Sequence, residues 1–191
     1  QSVLDTFTPV FNMYWTEMAA RKFGLRSLDS QSSQDMVASL FQLLTVAETD
    51  MTIFFRRLAD LDTSTNPNAV GTDTISPLTD AYYNLQELQG ELEQQLINWV
   101  KLYLIEVKEN GLPSQKRQST MNAANPKFVL RNYLAQLAID AAEKGDMSMI
   151  HELLNVLRMP YDAQPEYDHW AAKRPDWARH RPGCSMLSCS S

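Results

Sequence analysis

The sequence predicts an all-α fold: a bundle of seven or eight helices over residues 1–160, followed by an extended, Trp-anchored tail over 161–191. Three observations support this. Apolar residues recur at three- and four-residue intervals along most of the chain, the spacing that lines one face of a helix. No stretch alternates apolar and polar residues for long enough, between turn signals, to make a strand. Capping residues and glycine or proline stops punctuate the apolar stretches.

The first helix is expected over residues 3–23, with Val10, Phe11, Tyr14, Met18 and Phe23 as its buried stripe. Pro9 either kinks this helix or marks its start with Thr8 as the cap, and Gly24 stops it. Ser32-Ser33-Gln34-Asp35 resembles a helix start, because a hydroxyl can bond the free amides of the first turn. The helix it opens carries Met36, Val37, Leu40, Phe41, Leu44 and Val46. Asp50 caps a third helix, with Ile53, Phe54, Leu58 and Leu61 inward and Arg56 and Arg57 in water. Residues 62–75 read as a long loop by their content of Asp, Thr, Asn, Pro and Gly. Ser76-Pro77 then reads as a cap followed by proline at the first helical position. A long helical stretch follows to about residue 109, its stripe Leu85, Leu88, Leu92, Leu96, Trp99 and Tyr103, with Gly90 as its weak point. Gly111-Leu112-Pro113 ends it, and a short helix is expected over 114–122.

Residues 125–146 are the densest segment, apolar on more than one face, as in a helix inside a bundle. Gly145 stops that helix, and Asp146 caps the next, which carries Met147, Ile150, Leu153, Leu154 and Leu157 and ends before Pro160. A turn this short makes the two a helical hairpin. From Tyr161 onward the periodicity disappears at Pro165, Pro175 and Pro182, while Tyr161, Tyr167, Trp170 and Trp177 are too apolar for a free linker and should anchor the tail. The last residues, Ser188 to Ser191, are expected to be loose.

Composition excludes several functions. The 191 residues fit one domain, or one domain with a tail. Seventeen Lys and Arg against 23 Asp and Glu leave a net charge of −6, which weighs against nucleic acid as a partner. The six glycines are never closer than 19 residues, so neither a dinucleotide loop nor a phosphate loop can be drawn through them. No apolar run approaches the roughly 20 residues of a membrane span, so no membrane partner is expected. Gln1-Ser2-Val3-Leu4-Asp5 has neither a basic start nor a long apolar stretch, and no signal peptide is read there; with no initiator Met, the chain is expected to be a fragment of a longer protein. The two cysteines, both in the last eight residues, cannot staple the core and suggest a reducing, cytoplasmic setting.

Few residues carry chemistry by their pattern. His151-Glu152-Leu153-Leu154-Asn155 lacks the second imidazole of a zinc-protease helix, and His151 reads as a half-exposed helix residue. Glu166 and His169 form a single Glu-x-x-His, where a di-iron bundle needs two such pairs and two further Glu. His169, His180, Cys184 and Cys189 are ligands zinc accepts, but their spacings match no common pattern; no metal is expected. Lys173, Arg174, Arg179 and Arg181, interleaved with Trp170 and Trp177, read as a local ion-pair network rather than a nucleic-acid surface. Arg131 and Asn132 lie in an otherwise apolar segment and call for a hydrogen-bonded partner, such as Asp140. Cys189, third from the end, is the position least like packing and is a redox candidate, with Cys184 able to pair with it.

Asn125-Pro126, then Val129-Leu130-Arg131-Asn132-Tyr133-Leu134-Ala135-Gln136, then Ala138-Ile139-Asp140-Ala141-Ala142-Glu143-Lys144-Gly145-Asp146, closely resemble the selenoprotein O family. Arg174-Pro175-Asp176-Trp177 and the terminal Cys189-Ser190-Ser191 do as well, and the first 60 residues look like the helices that precede this motif. The resemblance covers the whole chain but only the last 40% or so of a typical member. It implies a kinase-like protein that transfers AMP from ATP, with magnesium, to Ser, Thr or Tyr hydroxyls of protein substrates. The residues that would do this lie upstream in the family, so the resemblance places no catalytic, cofactor-binding or metal residue here. This chain would be the helical region packed on an upstream kinase-like domain, inactive alone. It also implies that Cys189 stands where some members have selenocysteine, with a redox link from the tail to the catalytic part. Cys184 lies outside that pattern, which leaves a disulfide within the tail as an alternative. A free-standing helical interaction module without catalysis is the competing expectation.

Overall fold

The computed structural model describes residues 2–184 and is all-α: eight α-helices and three short 3₁₀ helices, with no strand among the described residues. The chain divides into two compact units, residues 1–125 and 126–191. The division expected from the sequence lay between 160 and 161 instead; α7 (Asn132–Ala142) and α8 (Ser148–Leu157) belong to the second unit with the tail.

The first unit contains α1 (Ser2–Phe23), α2 (Gln31–Leu43), α3 (Met51–Asp60), α4 (Thr72–Thr79), α5 (Glu91–Asn110) and α6 (Ser114–Ala124), with a 3₁₀ turn at Pro67–Ala69. In it α1 packs on α6, α2 on α5, and α3 on both α4 and α6. The central helix is α5, whose Leu96, Trp99, Val100, Tyr103 and Leu104 are all buried. Around it Phe23 meets Phe55 edge-on at 5.4 Å, and Trp99 stacks on Tyr103 at 5.4 Å. These rings carry a large apolar area and specific geometry into one core. Their polar atoms are used as well: Trp99 Nε1 donates to Met36 O at 3.0 Å and the Tyr103 hydroxyl to Phe23 O at 2.9 Å.

Arg117 is the largest fully buried side chain of the unit. It sits in α6, yet its guanidinium closes the end of α3. Nη1 donates to Leu58 O at 3.2 Å, and Nη2 donates to Ala59 O and Leu61 O at 2.9 Å each. Those carbonyls lie at the C-terminal end of α3, where helix carbonyls run short of amide donors and carry the negative end of the dipole, so they accept a cation without a carboxylate; Leu58 O also accepts from Leu61 N at 3.4 Å. Nη1 also donates to the Tyr103 hydroxyl at 3.0 Å. Burial pushes that hydroxyl's pKa up, and the Arg117 charge opposes the shift. Arg56 of α3 returns the arrangement, donating to Asn122 O and Asn125 O at the end of α6, both at 3.3 Å. Arg56 is therefore half-buried rather than in water, while Arg57 is exposed and pairs with Asp80 at 2.8 Å. Gly24 stops α1 at φ +70°, and a Cβ there would lie 2.3 Å from Arg117 Cγ, so the turn needs glycine for both conformation and space.

Several expected elements shift. α2 is capped by Ser30, whose hydroxyl accepts from Ser33 N at 3.0 Å; Ser33 itself is buried. Phe41 and Val46 are exposed, Val46 lying past the end of the helix. Asp50 caps α3 as expected, accepting from Ile53 N at 3.1 Å. Residues 72–75 are helical rather than loop, so Pro77 lies inside α4 instead of at its start. Burying Ile75 and Leu78 contributes about 1.5–3 kcal/mol each, enough to offset the bond that proline removes. The long helix expected from 77 to 109 is two: residues 80–90 form turns, Gly90 has φ +75°, and Leu85 is exposed. The greatest change is in α1, where Val10, Phe11, Tyr14 and Met18 are exposed and, from Thr6 onward, only Ala19, Ala20 and Phe23 are buried.

In the second unit Lys127 N and Phe128 N donate to Pro160 O, at 2.8 and 3.1 Å, and α7 begins only at Asn132. Tyr133, Leu134 and Ala138 face a core with Leu153 of α8, Ala178 and Cys184, while Leu130 and Ile139 are exposed. Gly145 ends α7 at φ +86°, and Asp146 accepts from Ser148 N at 2.9 Å to start α8. The tail holds 3₁₀ helices at Pro165–Ala171 and Asp176–Arg179 rather than running fully extended.

Arg117→Met should destabilise the protein by about 3 kcal/mol or more, because buried carbonyls and a hydroxyl lose their donor. Arg117→Lys should recover only part of this, since one ammonium cannot reproduce the planar fork. Denaturant unfolding measures both, and a loss below about 1 kcal/mol for Arg117→Met would contradict the assignment.

Candidate functional site

A polar knot fixes the tail of the second unit to α7. Arg181 Nη2 donates to Asp140 Oδ2, and Gln136 Nε2 donates to Asp140 Oδ1 at 3.0 Å. The Gln136 hydrogen bond, followed by the bond and charge of Arg181, holds the Asp140 carboxyl below its ordinary pKa. The same guanidinium lies 5.8 Å from the centre of the Trp177 ring, which meets Tyr133 edge-on at 6.2 Å. Gly183, at φ +80°, lies so close to α7 that a Cβ would come 2.2 Å from Gln136 Oε1. Cys184 N donates to Arg181 O at 3.1 Å, and the Cys184 side chain is only 3% exposed, inside the unit's core. Arg181 through Cys184 thus form a turn pinned on a helix, from which the last seven residues continue.

Of the two redox candidates, Cys184 is a buried free thiol, and Cys189 lies outside the described residues. Asp140 is paired with Arg181, so the partner expected for Arg131 is taken; Arg131 stands at the N-cap position of α7 and Asn132 is exposed. Of the tail's basic residues Arg179 pairs with Asp176 at 3.3 Å and Arg181 with Asp140, while the tail's Asp168 pairs with Lys127. His151 is exposed on α8, and His169 packs against Trp170 with ring centres 4.4 Å apart. Among the described residues no group of three or more His, Cys, Asp or Glu could hold a metal ion. Trp170 is partly buried against the core, whereas Tyr161 and Trp177 are exposed, so the rings anchor the tail unequally.

The first unit offers two open grooves. One, of about 320 Å³, runs between α2 and α5 over Leu43, Trp99 and Leu102; the other, of about 630 Å³, lies along α1 beside Arg26 and Asp29. Neither is lined by the unit's buried charges, which close helix ends or brace them. Asp50 accepts from Ile53 N and from the Tyr83 hydroxyl, Glu106 Oε2 accepts from Ser32 Oγ at 3.0 Å, and Arg117 serves carbonyls. These residues do not fit a nucleoside triphosphate or its magnesium. No described helix is long and apolar enough to cross a membrane.

Residues 1–158 match the family model described as protein adenylyltransferase SelO. The chain belongs to this family. A protein nucleotidyltransferase YdiU from Rhodopirellula baltica is 48% identical over 197 residues, covering 100% of this chain and 36% of the relative. Proteins of the same name from Aromatoleum aromaticum and Flavobacterium johnsoniae are 46% and 42% identical, with 98% and 100% of this chain and 34% and 36% of the relative covered. The chain therefore spans about a third of the length of these curated relatives, and the family to which it belongs is one of nucleotidyltransferases.

Asp140→Asn should loosen the turn at 181–184, seen as faster thiol labelling of Cys184. Because the Asp140 pKa is depressed, its contribution is complete above the unfolded value near 4 and is lost as pH falls through the lower folded value. Wild-type labelling should therefore accelerate only in that acidic window and the Asn variant should not. Equal rates for both proteins near neutral pH would exclude the knot as the tail's anchor.

Proposed function

We propose that this chain is the helical scaffold and tail of a protein that transfers AMP from ATP to Ser, Thr or Tyr hydroxyls of other proteins. In that reaction the hydroxyl oxygen replaces pyrophosphate at the α-phosphorus. The single observation that carries the proposal is the family match over residues 1–158, on a chain that spans only 34–36% of the relatives' length. The residues that handle the triphosphate and magnesium, and the kinase-like domain that bears them, belong to the remaining polypeptide. The contribution of this chain is mechanical: a core braced by Arg117 and a tail fixed by Asp140 and Arg181. Cys189 is the redox thiol of this reading. Five residues separate it from Cys184, so it works within about 17 Å of that pinned turn.

With ATP, magnesium and an acceptor protein, the full-length protein should transfer labelled AMP, and the 191-residue chain alone should not. Transfer by the chain above background would place catalytic residues within it, and absence of transfer by the full-length protein would refute the activity. In native protein, reduced Cys189 should label quickly and Cys184 only after unfolding; the reverse order would remove Cys189 from the role.

A further inference from the structure

From Thr6 to Met18 no residue of α1 is buried, although this stretch is helical and rich in large apolar side chains. Within it Phe7, Phe11, Tyr14 and Met18 follow one another at intervals of four, three and four residues. That is the seam along which one helix packs on another. Their exposures are 64, 53, 61 and 44%, and Phe7 and Phe11 stack on each other at 5.9 Å for lack of another apolar surface. A similar stripe on α5, Leu92, Leu96, Trp99 and Tyr103, is no more than 6% exposed. At roughly 100 Å² for each exposed ring, the α1 seam and its neighbours Val10 and Trp15 present several hundred Å², more than scattered surface residues leave on a monomer. The helix itself needs a partner: an isolated segment of this length is marginal in water, and Pro9 removes one of its bonds.

We propose that the seam Phe7–Phe11–Tyr14–Met18 is the docking face for an apolar-faced helix in the part of the parent polypeptide outside this chain. The inference rests on the proposed membership in a longer enzyme. Its source is the length of the relatives, about two-thirds of which this chain does not span. A segment of the same polypeptide competes at an effective concentration near millimolar, far above that of a second copy. The seam is about 17 Å long from Phe7 to Met18, enough for a partner helix of about three turns.

The test places a photoreactive benzophenone amino acid at Phe11 in the full-length protein, followed by illumination, digestion and mass spectrometry. The expected product is an adduct to a peptide of the same polypeptide outside these 191 residues. An adduct joining two copies, an adduct within this chain, or no adduct at all would overturn the proposal. Phe11→Glu should lower the melting temperature of the full-length protein by at least about 5 °C and leave that of the 191-residue chain within about 1 °C. Equal shifts in the two would also overturn it. AMP transfer by the unmodified full-length protein separates the two ideas: transfer without the adduct rejects the seam alone, and the adduct without transfer rejects the adenylyltransferase reading alone.

Discussion

A guanidinium in the core of the first unit needs acceptors from several directions at once, and the surrounding helices supply them to both terminal nitrogens, leaving Nε without one. Arg117 leaves α6 and takes the last carbonyls of α3, and Arg56 leaves α3 and takes the last carbonyls of α6. Each helix thus neutralises the end of the other, which fixes their opposed directions and their register more tightly than apolar contact would. Tyr103 of α5 joins through its hydroxyl, and Gly24 must lack a side chain because the Arg117 stem occupies the space. Four helices are positioned by this single side chain.

The remaining buried polar groups follow the same economy. Asp50 closes the start of α3, Glu106 receives the hydroxyl of Ser32 in the first turn of α2, and Asp140 holds Arg181 against α7. Charges placed this way give stiffness and orientation. None of Asp50, Glu106 and Arg117 lines either groove of the first unit. What this chain offers to the outside is apolar instead, and it is concentrated on α1.

Much of this was legible in the sequence. Gly24, Asp50, Gly111, Gly145 and Asp146 mark helix boundaries by local chemistry alone, and the structure uses each of them there. The all-helical class followed from periodicity. Periodicity identifies an apolar stripe but not what covers it, and so the α1 stripe, as regular as that of α5, did not betray its exposure. Ser76-Pro77 has the chemistry of a helix start, yet burial of Ile75 and Leu78 draws the helix back across the proline. Arg117 and Asp140 were hidden for a further reason. Their partners lie 56–59 and 41 residues away, and no local pattern encodes a carbonyl or a cation at that distance. The resemblance around residues 125–146 located the family, while the knot that this segment forms with the tail became visible only in three dimensions.

The pairing of α1 and α3 with the late helix α6 has a bearing on how the protein is made. A nascent chain leaves the ribosome from its N-terminal end, so the first helix emerges long before its mate. Ninety residues separate the end of α1 at Phe23 from the start of α6 at Ser114. At roughly 5–20 residues per second, about 5–20 s of translation pass before that mate exists. Through this interval Phe23, Phe54 and Phe55 have no finished core to enter, and the oily rings of a half-made bundle face water or a chaperone. The contacts that α1 and α3 make with α6 close last, so a stall in elongation between α3 and α6 would be the moment of greatest hazard for aggregation.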